Sequence, residues 1–437
     1  MHDEIPFALP LTGSEEEAAV IRVLRSGWLT TGGEALAFEK EFSAALQKNC
    51  ALKDNSLRCL AVNSATSGLH LALEACGVGP GDAVLVPSCT FTATAEVARY
   101  LGADPVFVDV APGTFHIDPA ALEQTLKRLP PNKAKAVIPV HYGGLPCDMA
   151  AIMDIARRYN LKVIEDAAHA FPSLIPPSPP EKSTRTGERV AEQMRHGVGQ
   201  INATITTKSE GPPPLPSAFA GTIGDAGVFS FYATKTITTG EGGMIACRDE
   251  AMANRMSVMR SHGIDRAVWN RYSDAKASWY YEVVEAGYKY NLPDLLAAIG
   301  RVQLARAWEL LRMRQEIAAA YDAAFSPNDC LLIPPTGPGD ARHLYPLRLN
   351  PQRLRISRDE FAHKLKEAGI GVSVHYIPLH IMPFYKNRYH LTENDLPETI
   401  KSCYNEISLP IWPGMSLAQI NRVIETVQSI AHQYEHN

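Results

Sequence analysis

The 437-residue sequence lacks the features that mark three common classes of protein. It has no CxxC pair, since the closest two of its eight cysteines, Cys50 and Cys59, are nine residues apart, which argues against a thiolate metal site or a dithiol redox centre. It has no apolar run of the roughly eighteen residues that a membrane-spanning helix requires. Its 42 basic and 47 acidic residues give a net charge of −5, so no global charge favours nucleic acid or an anionic membrane as a partner.

The cysteines and the first residues favour a cytoplasmic protein. Cys59, Cys76 and Cys247 lie in apolar runs, where cysteine usually acts as a small hydrophobic residue, so we expect reduced thiols. The first ten residues, MHDEIPFALP, contain acidic residues and no long apolar core, which argues against a signal peptide. The length is greater than one compact core usually reaches and suggests two domains.

Apolar, β-rich runs alternate with helical patterns over the first 250 residues. This alternation predicts an α/β fold with a mostly parallel sheet covered on both faces. About a dozen residues separate the last two predicted strands, which is too short for a helical crossover, so we expect one strand of the seven to be antiparallel. The predicted strands are 59–62, 83–86, 105–108, 136–140, 162–164, 228–231 and 244–247.

The pattern changes near residue 250 and becomes mainly helical with short β-rich runs. We therefore predict a large α/β domain at 1–255 and a smaller C-terminal α+β domain at 256–437. Between Pro172 and Ser217 the sequence has proline clusters at both ends and little periodicity. Such a segment is typical of an exposed insertion, and here it would lie near the mouth of a site because active-site candidates flank it.

The stretch from Gly224 to Met244 carries the central functional hypothesis. GDAGVFSFYATKTITTGEGGM predicts a buried strand, then Lys235, then a glycine-rich loop. Burial disfavours the ammonium form of a lysine and lowers its pKa, which suits an amine that acts as the nucleophile in Schiff-base chemistry. Ser230, five residues earlier, offers a hydroxyl to a phosphate. Taken alone, the same pattern fits a glycine-rich turn with a solvated lysine.

Three further segments follow predicted strands at the same edge of the sheet, where ligands of parallel sheets gather. The segment 63–68, NSATSG, opens a helix and exposes backbone N–H groups to an anion. Asp166, with His169 close behind, could pair with the ring nitrogen of a heteroaromatic cofactor, and Phe91 could stack on a flat ring. Ordinary helix caps and a core phenylalanine are the alternatives for these residues. Together with Lys235, they predict a pyridoxal phosphate site.

Seven motifs follow one another along the chain: NSATSGLHLAL, GPGDAVLVPSCTFTATA, PVFVDV, VIPVHYGG, KVIEDAAHA, GDAGVFSFYATKTITTGEGGM and GYKYNLPDLLAAIG. In this order they resemble the DegT/DnrJ/EryC1/StrS family of nucleotide-sugar aminotransferases. The resemblance extends from about Trp28 to about Pro413 and implies a fold-type-I, aspartate-aminotransferase-like architecture, pyridoxal 5'-phosphate as cofactor, and a homodimer with active sites at the interface.

The resemblance also implies a role for each matching residue. Lys235 would bind the cofactor covalently and move the proton between carbon atoms, and Asp166 would pair with the pyridine nitrogen. The remaining roles are His169 beside the ring hydroxyl, Phe91 stacked on the ring, Ser230 and the backbone of Ala65 and Thr66 at the phosphate, Asn291 at the phosphate of the partner subunit, and His375 and Tyr376 in the sugar pocket.

The reaction implied is transfer of an amino group from an amino acid, expected to be glutamate, to a keto sugar carried on a nucleotide. Tyr232 stands where the family often has histidine, so no role is carried over to that side chain. The alternatives are an enzyme of the same fold acting on another ketone, such as an aminocyclitol or aromatic-amine synthase, and a non-catalytic regulatory relative. Lys235 argues against a dehydratase relative, in which histidine replaces the lysine.

Overall fold

The computed structural model describes residues 4–48, 56–175, 218–265 and 281–436. Its centre is a seven-stranded sheet with the strand order β1-β9-β8-β5-β4-β2-β3. The strands are β1 (Arg58–Val62), β2 (Ala83–Pro87), β3 (Asp104–Val108), β4 (Ala134–Val137), β5 (Lys162–Asp166), β8 (Ala226–Ser230) and β9 (Gly243–Cys247). All seven predicted strands are present, although β4 and β8 begin and end earlier than expected.

Helices cover both faces of this sheet. On each face, apolar side chains of the helices and the strands pack together into a core. Strand β9 is antiparallel to both of its neighbours, β1 and β8, while the other recorded pairings in the sheet are parallel. The predicted mostly parallel sheet with one antiparallel strand is therefore confirmed. The helices of this part are α1 (Ser14–Ser26), α2 (Gly33–Gln47), α3 (Ala65–Ala75), α4 (Ala93–Tyr100), α5 (Pro119–Arg128), α6 (Met149–Tyr159) and α7 (Glu250–Met259).

A second, three-stranded antiparallel sheet lies in the C-terminal part of the chain, with the order β10-β11-β12. Its core also includes Ile5, whose backbone forms a bridge with Ile370, so the start of the chain packs with its end. The division at residues 255 and 256 stays a prediction. The elements are α8 (Asp294–Ala305), α9 (Ala307–Phe325), β10 (Leu331–Leu332), β11 (Tyr345–Leu349), α10 (Arg358–Glu367), α11 (Pro383–Tyr389), α12 (Pro397–Cys403), β12 (Glu406–Leu409) and α13 (Leu417–Gln433).

The predicted insertion at 172–217 falls mostly outside the described residues, which stop at 175 and resume at 218. Its first residues do not fit the expectation of an exposed segment, because Pro172, Ser173 and Ile175 are buried. Strand β6 (Leu174–Ile175) pairs with β7 (Ala218–Phe219), and this pairing holds the two flanks of the segment together. Within the described ranges, no helix combines the length and the apolar composition needed to cross a membrane.

A buried carboxylate fixes the chain that leads into β8. Glu165 accepts hydrogen bonds from the backbone N–H groups of Gly221, Ile223 and Gly224 at 2.6 to 2.8 Å. His141 Nε2 lies 2.9 Å from the same carboxylate and donates to it, because Nδ1 of His141 accepts from a backbone N–H. Burial alone would raise the pKa of Glu165, but these four donors hold it below its usual value.

We predict that Glu165→Ala lowers the free energy of unfolding by about 3–5 kcal/mol, because the substitution leaves three backbone donors and an imidazole buried without an acceptor. Urea denaturation at fixed protein concentration measures this loss. Glu316→Ala is the matched control, since Glu316 pairs with Arg312 on the surface of α9. Equal denaturation midpoints for the two variants would contradict the structural role of Glu165.

Candidate active site

A cavity of about 540 Å³ opens at the edge of the sheet where the parallel strands end. Its wall includes the residues that follow β1 and β2 and the last residues of β5 and β8. This position agrees with the rule that ligands bind beyond the carboxyl ends of parallel strands. Nine of the ten predicted site residues line the cavity: Ala65, Thr66, Phe91, Asp166, His169, Ser230, Lys235, His375 and Tyr376.

Lys235 lies in the loop after β8, and its backbone N–H donates to the carbonyl of Tyr232 at 2.9 Å. Burial lowers the pKa of Lys235 to about 8, the charge of Arg314 lowers it further, and Asp166 opposes the shift. A larger share of neutral amine is therefore present near neutral pH than for an ordinary lysine. The alternative of a fully solvated lysine in a glycine turn does not fit this environment.

Arg314 on α9 is a buried cation that holds the lysine loop, and the sequence analysis did not identify it. Its guanidinium donates to the carbonyl oxygens of Thr234, His343 and Ile411 at 2.7 to 3.3 Å. It forms no ion pair with a carboxylate among the described residues, and burial lowers its pKa to about 10. Its sequence context, LLRMRQEIAAA, gives no signal for this role, because the contact with Thr234 joins residues 80 positions apart.

Asp166 is the last residue of β5 and lines the cavity, although its side chain is almost fully buried. One carboxylate oxygen accepts from the hydroxyl of Thr94 at 2.8 Å, and the other accepts from the backbone N–H of Ala168 at 3.1 Å. Burial raises the pKa of Asp166, although both hydrogen bonds and the charge of Lys235 act against the shift. Among the described residues, no cation forms an ion pair with this buried carboxylate. The protonated ring nitrogen of pyridoxal phosphate would supply one.

Thr94, in the first turn of α4, is a partner of Asp166 that the sequence does not indicate. Its hydroxyl oxygen lies 2.7 Å from that of Thr90, which precedes the helix. The motif CTFTATA gives no signal for this contact, because Thr94 and Asp166 are 72 positions apart. The hydroxyl of Thr94 orients the carboxylate of Asp166.

The start of α3 and the end of β8 form a site that fits a phosphate group. Ser64 caps α3 through its side chain, and the first residues of the helix, Ala65 and Thr66, line the cavity. A Cβ atom on Gly243 would lie 2.8 Å from the backbone nitrogen of Ala65, so glycine permits the close approach of β9. Ser230 Oγ accepts from a backbone N–H at 3.3 Å, which leaves its own proton for an anion.

His169 and Tyr376 form a hydrogen-bonded pair on the opposite wall. Nδ1 of His169 accepts from the N–H of Gly143 at 3.2 Å, so Nε2 carries the proton and donates to the Tyr376 oxygen at 3.1 Å. Burial lowers the pKa of His169 well below its usual value, and the charge of Lys235 acts in the same direction. The pair therefore stays neutral, and the hydroxyl proton of Tyr376 is left for a ligand.

Phe91 is 58% exposed and faces the cavity, so it is not the core phenylalanine that the sequence left open as an alternative. Its ring centroid lies 6.2 Å from that of Tyr376. The two rings are available to cover a flat cofactor from the solvent side. The wall of the cavity thus offers an amine, a carboxylate, phosphate donors and aromatic cover, which fit pyridoxal phosphate.

Asn291 is the one predicted site residue that does not line this cavity. Its backbone forms a bridge with Val62, and its amide donates to the hydroxyl of Thr31 at 2.5 Å. Its Oδ1 atom is buried without a hydrogen-bond partner among the described residues. A role at the phosphate site of a partner subunit stays a prediction.

Nearly the whole chain is similar to known sugar aminotransferases and their relatives. The sequence model of the DegT/DnrJ/EryC1/StrS aminotransferase family matches residues 10–188 and 202–428. The spore coat polysaccharide biosynthesis protein SpsC of Bacillus subtilis is 40% identical over 430 residues, which cover 98% of this chain and 97% of SpsC.

Solved structures extend the likeness to the fold. The putative sugar aminotransferase Spr1654 from Streptococcus pneumoniae, in its PLP form, has a TM-score of 0.79 at 29% identity and covers 98% of this chain and 99% of its own. Helicobacter pylori PseC, an aminotransferase involved in the biosynthesis of pseudoaminic acid, has a TM-score of 0.79 at 25% identity, with 99% and 100% of the two chains covered.

We predict that the apoprotein binds pyridoxal phosphate covalently through Lys235 and faster as the pH rises through about 8. The reason is that only the neutral amine is a nucleophile and the pKa of Lys235 is lowered to about 8. Borohydride reduction followed by peptide mapping should locate the label, and stopped-flow absorbance gives the pH profile. Lys162→Ala, which removes an exposed lysine, should leave both results unchanged. A label on another lysine would contradict the assignment.

Proposed function

Because this chain belongs to the DegT/DnrJ/EryC1/StrS aminotransferase family, we propose that it moves an amino group from an amino acid, with glutamate as the expected donor, to a keto sugar carried on a nucleotide. The family makes the protein a pyridoxal-phosphate-dependent aminotransferase. The observation that carries the proposal is the convergence of Lys235, Asp166 and Ser230 on one cavity at the strand ends. The cytoplasm is the proposed compartment.

The residues of the cavity divide between holding the cofactor and moving a proton. Pyridoxal phosphate, when bound, supplies an electron sink that makes a C–H bond next to nitrogen acidic. Lys235 would hold it covalently, the α3 N-terminus and Ser230 would hold its phosphate, and Phe91 would cover its ring. Asp166 would keep a proton on the ring nitrogen, since the buried carboxylate is stabilised by a cation.

Lys235 is also the proposed acid and base. Its amine, once released by an incoming amino group, can take a proton from the substrate carbon and return it to a neighbouring carbon. Its pKa of about 8 suits both directions near neutral pH, because a general base works best when its pKa is close to the working pH. Arg314 contributes by keeping this pKa low and by holding the carbonyl of Thr234, the residue before the lysine.

Tyr376 and His375 are the proposed contacts of the sugar. Both line the cavity on the side of the C-terminal sheet, and the hydroxyl of Tyr376 is an available donor because its oxygen already accepts from His169. Cavities of roughly 300–1,000 Å³ accommodate most small-molecule ligands, so 540 Å³ leaves room for a substrate beside the cofactor. A nucleotide would extend towards the exposed side of Tyr232 and Glu241.

The names of the relatives support amino-sugar synthesis for a polysaccharide, glycan or secondary metabolite. SpsC is described as a spore coat polysaccharide biosynthesis protein, and PseC is described as acting in pseudoaminic acid biosynthesis. We propose the corresponding step here, namely amination of a keto sugar. No described contact favours an aminocyclitol or an aromatic amine as product, so these remain outcomes of the test.

A two-step spectral assay tests the proposed substrate class. Glutamate should convert the cofactor to its amino form, and one or more nucleotide keto sugars from a panel should restore the original spectrum, with the amino sugar identified by mass spectrometry. Asp166→Asn should keep the cofactor but transfer the amino group at least about a hundredfold more slowly, because an amide does not hold the ring proton. Turnover with an aminocyclitol ketone alone would overturn the nucleotide-sugar assignment.

Subunit mixing tests whether the site is shared in a homodimer. Lys235→Ala and Asn291→Ala should each be nearly inactive. A hybrid dimer of the two variants should have about half the activity of a wild-type dimer, because one of its two sites contains both intact residues. The buried, unpartnered Oδ1 of Asn291 supports this expectation. Subunit exchange is followed with two affinity tags. No recovery in proven hybrids would contradict a shared site.

A further inference from the structure

Behind the cavity wall, a closed set of hydrogen bonds joins His375 to a glutamate on β12. The backbone N–H of His375 donates to Glu406 Oε2 at 2.8 Å. Nδ1 of the His375 ring lies 2.8 Å from Ser408 Oγ, and that oxygen also contacts Glu406 Oε1. A backbone bridge between Ser373 and Ser408 fixes the two segments side by side. Glu406 and Ser408 are fully buried, whereas His375 lines the cavity.

The single hydroxyl proton of Ser408 allows two arrangements of this relay. When Glu406 is ionised, Ser408 donates to it and accepts from His375 Nδ1–H, so Nε2 of the ring carries no proton. When Glu406 is protonated, its Oε1–H donates to Ser408, and Ser408 donates to Nδ1, so the proton of the ring lies on Nε2. Both arrangements use the same heavy-atom positions.

We propose that Glu406, acting through Ser408, determines whether His375 presents a hydrogen-bond donor or an acceptor to the substrate. The ring of His375 lines the cavity and its recorded ring hydrogen bond is made by Nδ1, so Nε2 is the ring nitrogen left for a ligand. The inference rests on the proposed function, because it concerns the contact between His375 and the keto sugar. Glu406 is a positioning residue and does not touch the substrate.

The surroundings of Glu406 place its change between the protonated and the ionised form near neutral pH. Burial raises the pKa of Glu406 to about 8, and its hydrogen bonds and the charge of Arg358 only partly oppose the shift. Burial also lowers the pKa of His375 to about 4, so the imidazole itself stays neutral. Arg358 is engaged by Asp359.

The other ionisable groups near Glu406 are neutral or directed elsewhere. Arg348 lies opposite Glu406 in the β11–β12 register, but its guanidinium is over the ring of Phe115, 5.8 Å from the centroid, and it forms no ion pair with Glu406. Burial raises the pKa of each neighbouring phenol and thiol, so these groups stay protonated; they are Tyr142, Tyr376 and Cys403.

The direction of the effect follows from the chemistry of the substrate. Keto and phosphate oxygens only accept hydrogen bonds, so they require a proton on Nε2. Below pH 8, Glu406 is protonated and His375 is a donor; above pH 8, Glu406 is ionised and His375 faces these oxygens as an acceptor. We expect the KM for the keto sugar to rise about tenfold above this pH, which corresponds to about 1.4 kcal/mol.

Infrared difference spectroscopy tests the protonation step without any substrate. The C=O stretch of a protonated carboxylic acid should disappear from the holoenzyme between about pH 7 and 9, and it should be absent from Glu406→Gln. Loss of the band at acidic pH, as for an exposed carboxylate, would overturn the proposal. Because no turnover is measured, this result holds even if the substrate screen fails, so the two proposals can fail separately.

Kinetics with a keto sugar accepted in the screen tests the coupling to His375. Glu406→Gln is close in shape to the protonated acid, donates to Ser408 through its amide and fixes the donor arrangement, so the tenfold rise in KM with pH should disappear. Ser408→Ala should also remove the rise while the infrared band still titrates. Glu367→Gln is the control, since Glu367 is exposed on α10, and its profile should follow the wild type.

The ratio of each variant's KM to that of the wild type removes any pH effect of Lys235, which is present in all of them. A rise in KM that persists in Glu406→Gln would overturn the relay. Glu406→Gln could instead change kcat while the ratio of its KM to the wild-type KM stays the same at every pH. That result would show a merely structural role for Glu406 and would also overturn the relay. If Ser408→Ala fails to fold, the near-isosteric Glu406→Gln decides the question alone.

Discussion

The candidate active site depends on ionisable groups that the fold withdraws partly or almost wholly from water at the ends of the parallel strands. Burial lowers the pKa of Lys235 to about 8 and raises the pKa of Asp166, while each charge partly offsets the shift of the other. In water the lysine would be almost wholly protonated and the carboxylate would need no cation. Burial thus favours a neutral amine and a carboxylate that is stabilised by a cation, which are the forms that the proposed reaction uses.

Residues outside the cavity hold the amine and the carboxylate in place. Glu165, one residue before Asp166, binds three backbone N–H groups of the chain that enters β8 and so fixes the strand that leads to Lys235. Arg314 donates to the carbonyl of Thr234 from the opposite side. Neither residue touches the cavity, yet together they determine where the amine and the carboxylate lie.

The C-terminal part of the chain supplies the rest of the cavity wall and the proposed contacts of the substrate. His375 and Tyr376 follow a segment that pairs with β12, and His169 links Tyr376 back to the loop containing Gly143. The loop of Lys235 follows a strand of the large sheet, whereas the proposed sugar contacts follow a segment bridged to the C-terminal sheet. The Glu406 relay acts on binding through the position of the His375 proton, because its two arrangements use the same heavy-atom positions.

The sequence by itself determined the seven strands, their order of appearance and the antiparallel member, because strand patterns follow local residue periodicity. Nine of its ten predicted site residues line the cavity, and of these His375 and Tyr376 rested on the family resemblance alone. The sequence did not reveal Thr94 as a partner of Asp166, Arg314 behind Lys235, or the relay from Glu406 to His375. Those contacts join residues 72, 80 and 31 positions apart. Only the tertiary structure decided them, because burial and hydrogen-bond geometry across distant segments leave no periodic or local pattern in the chain.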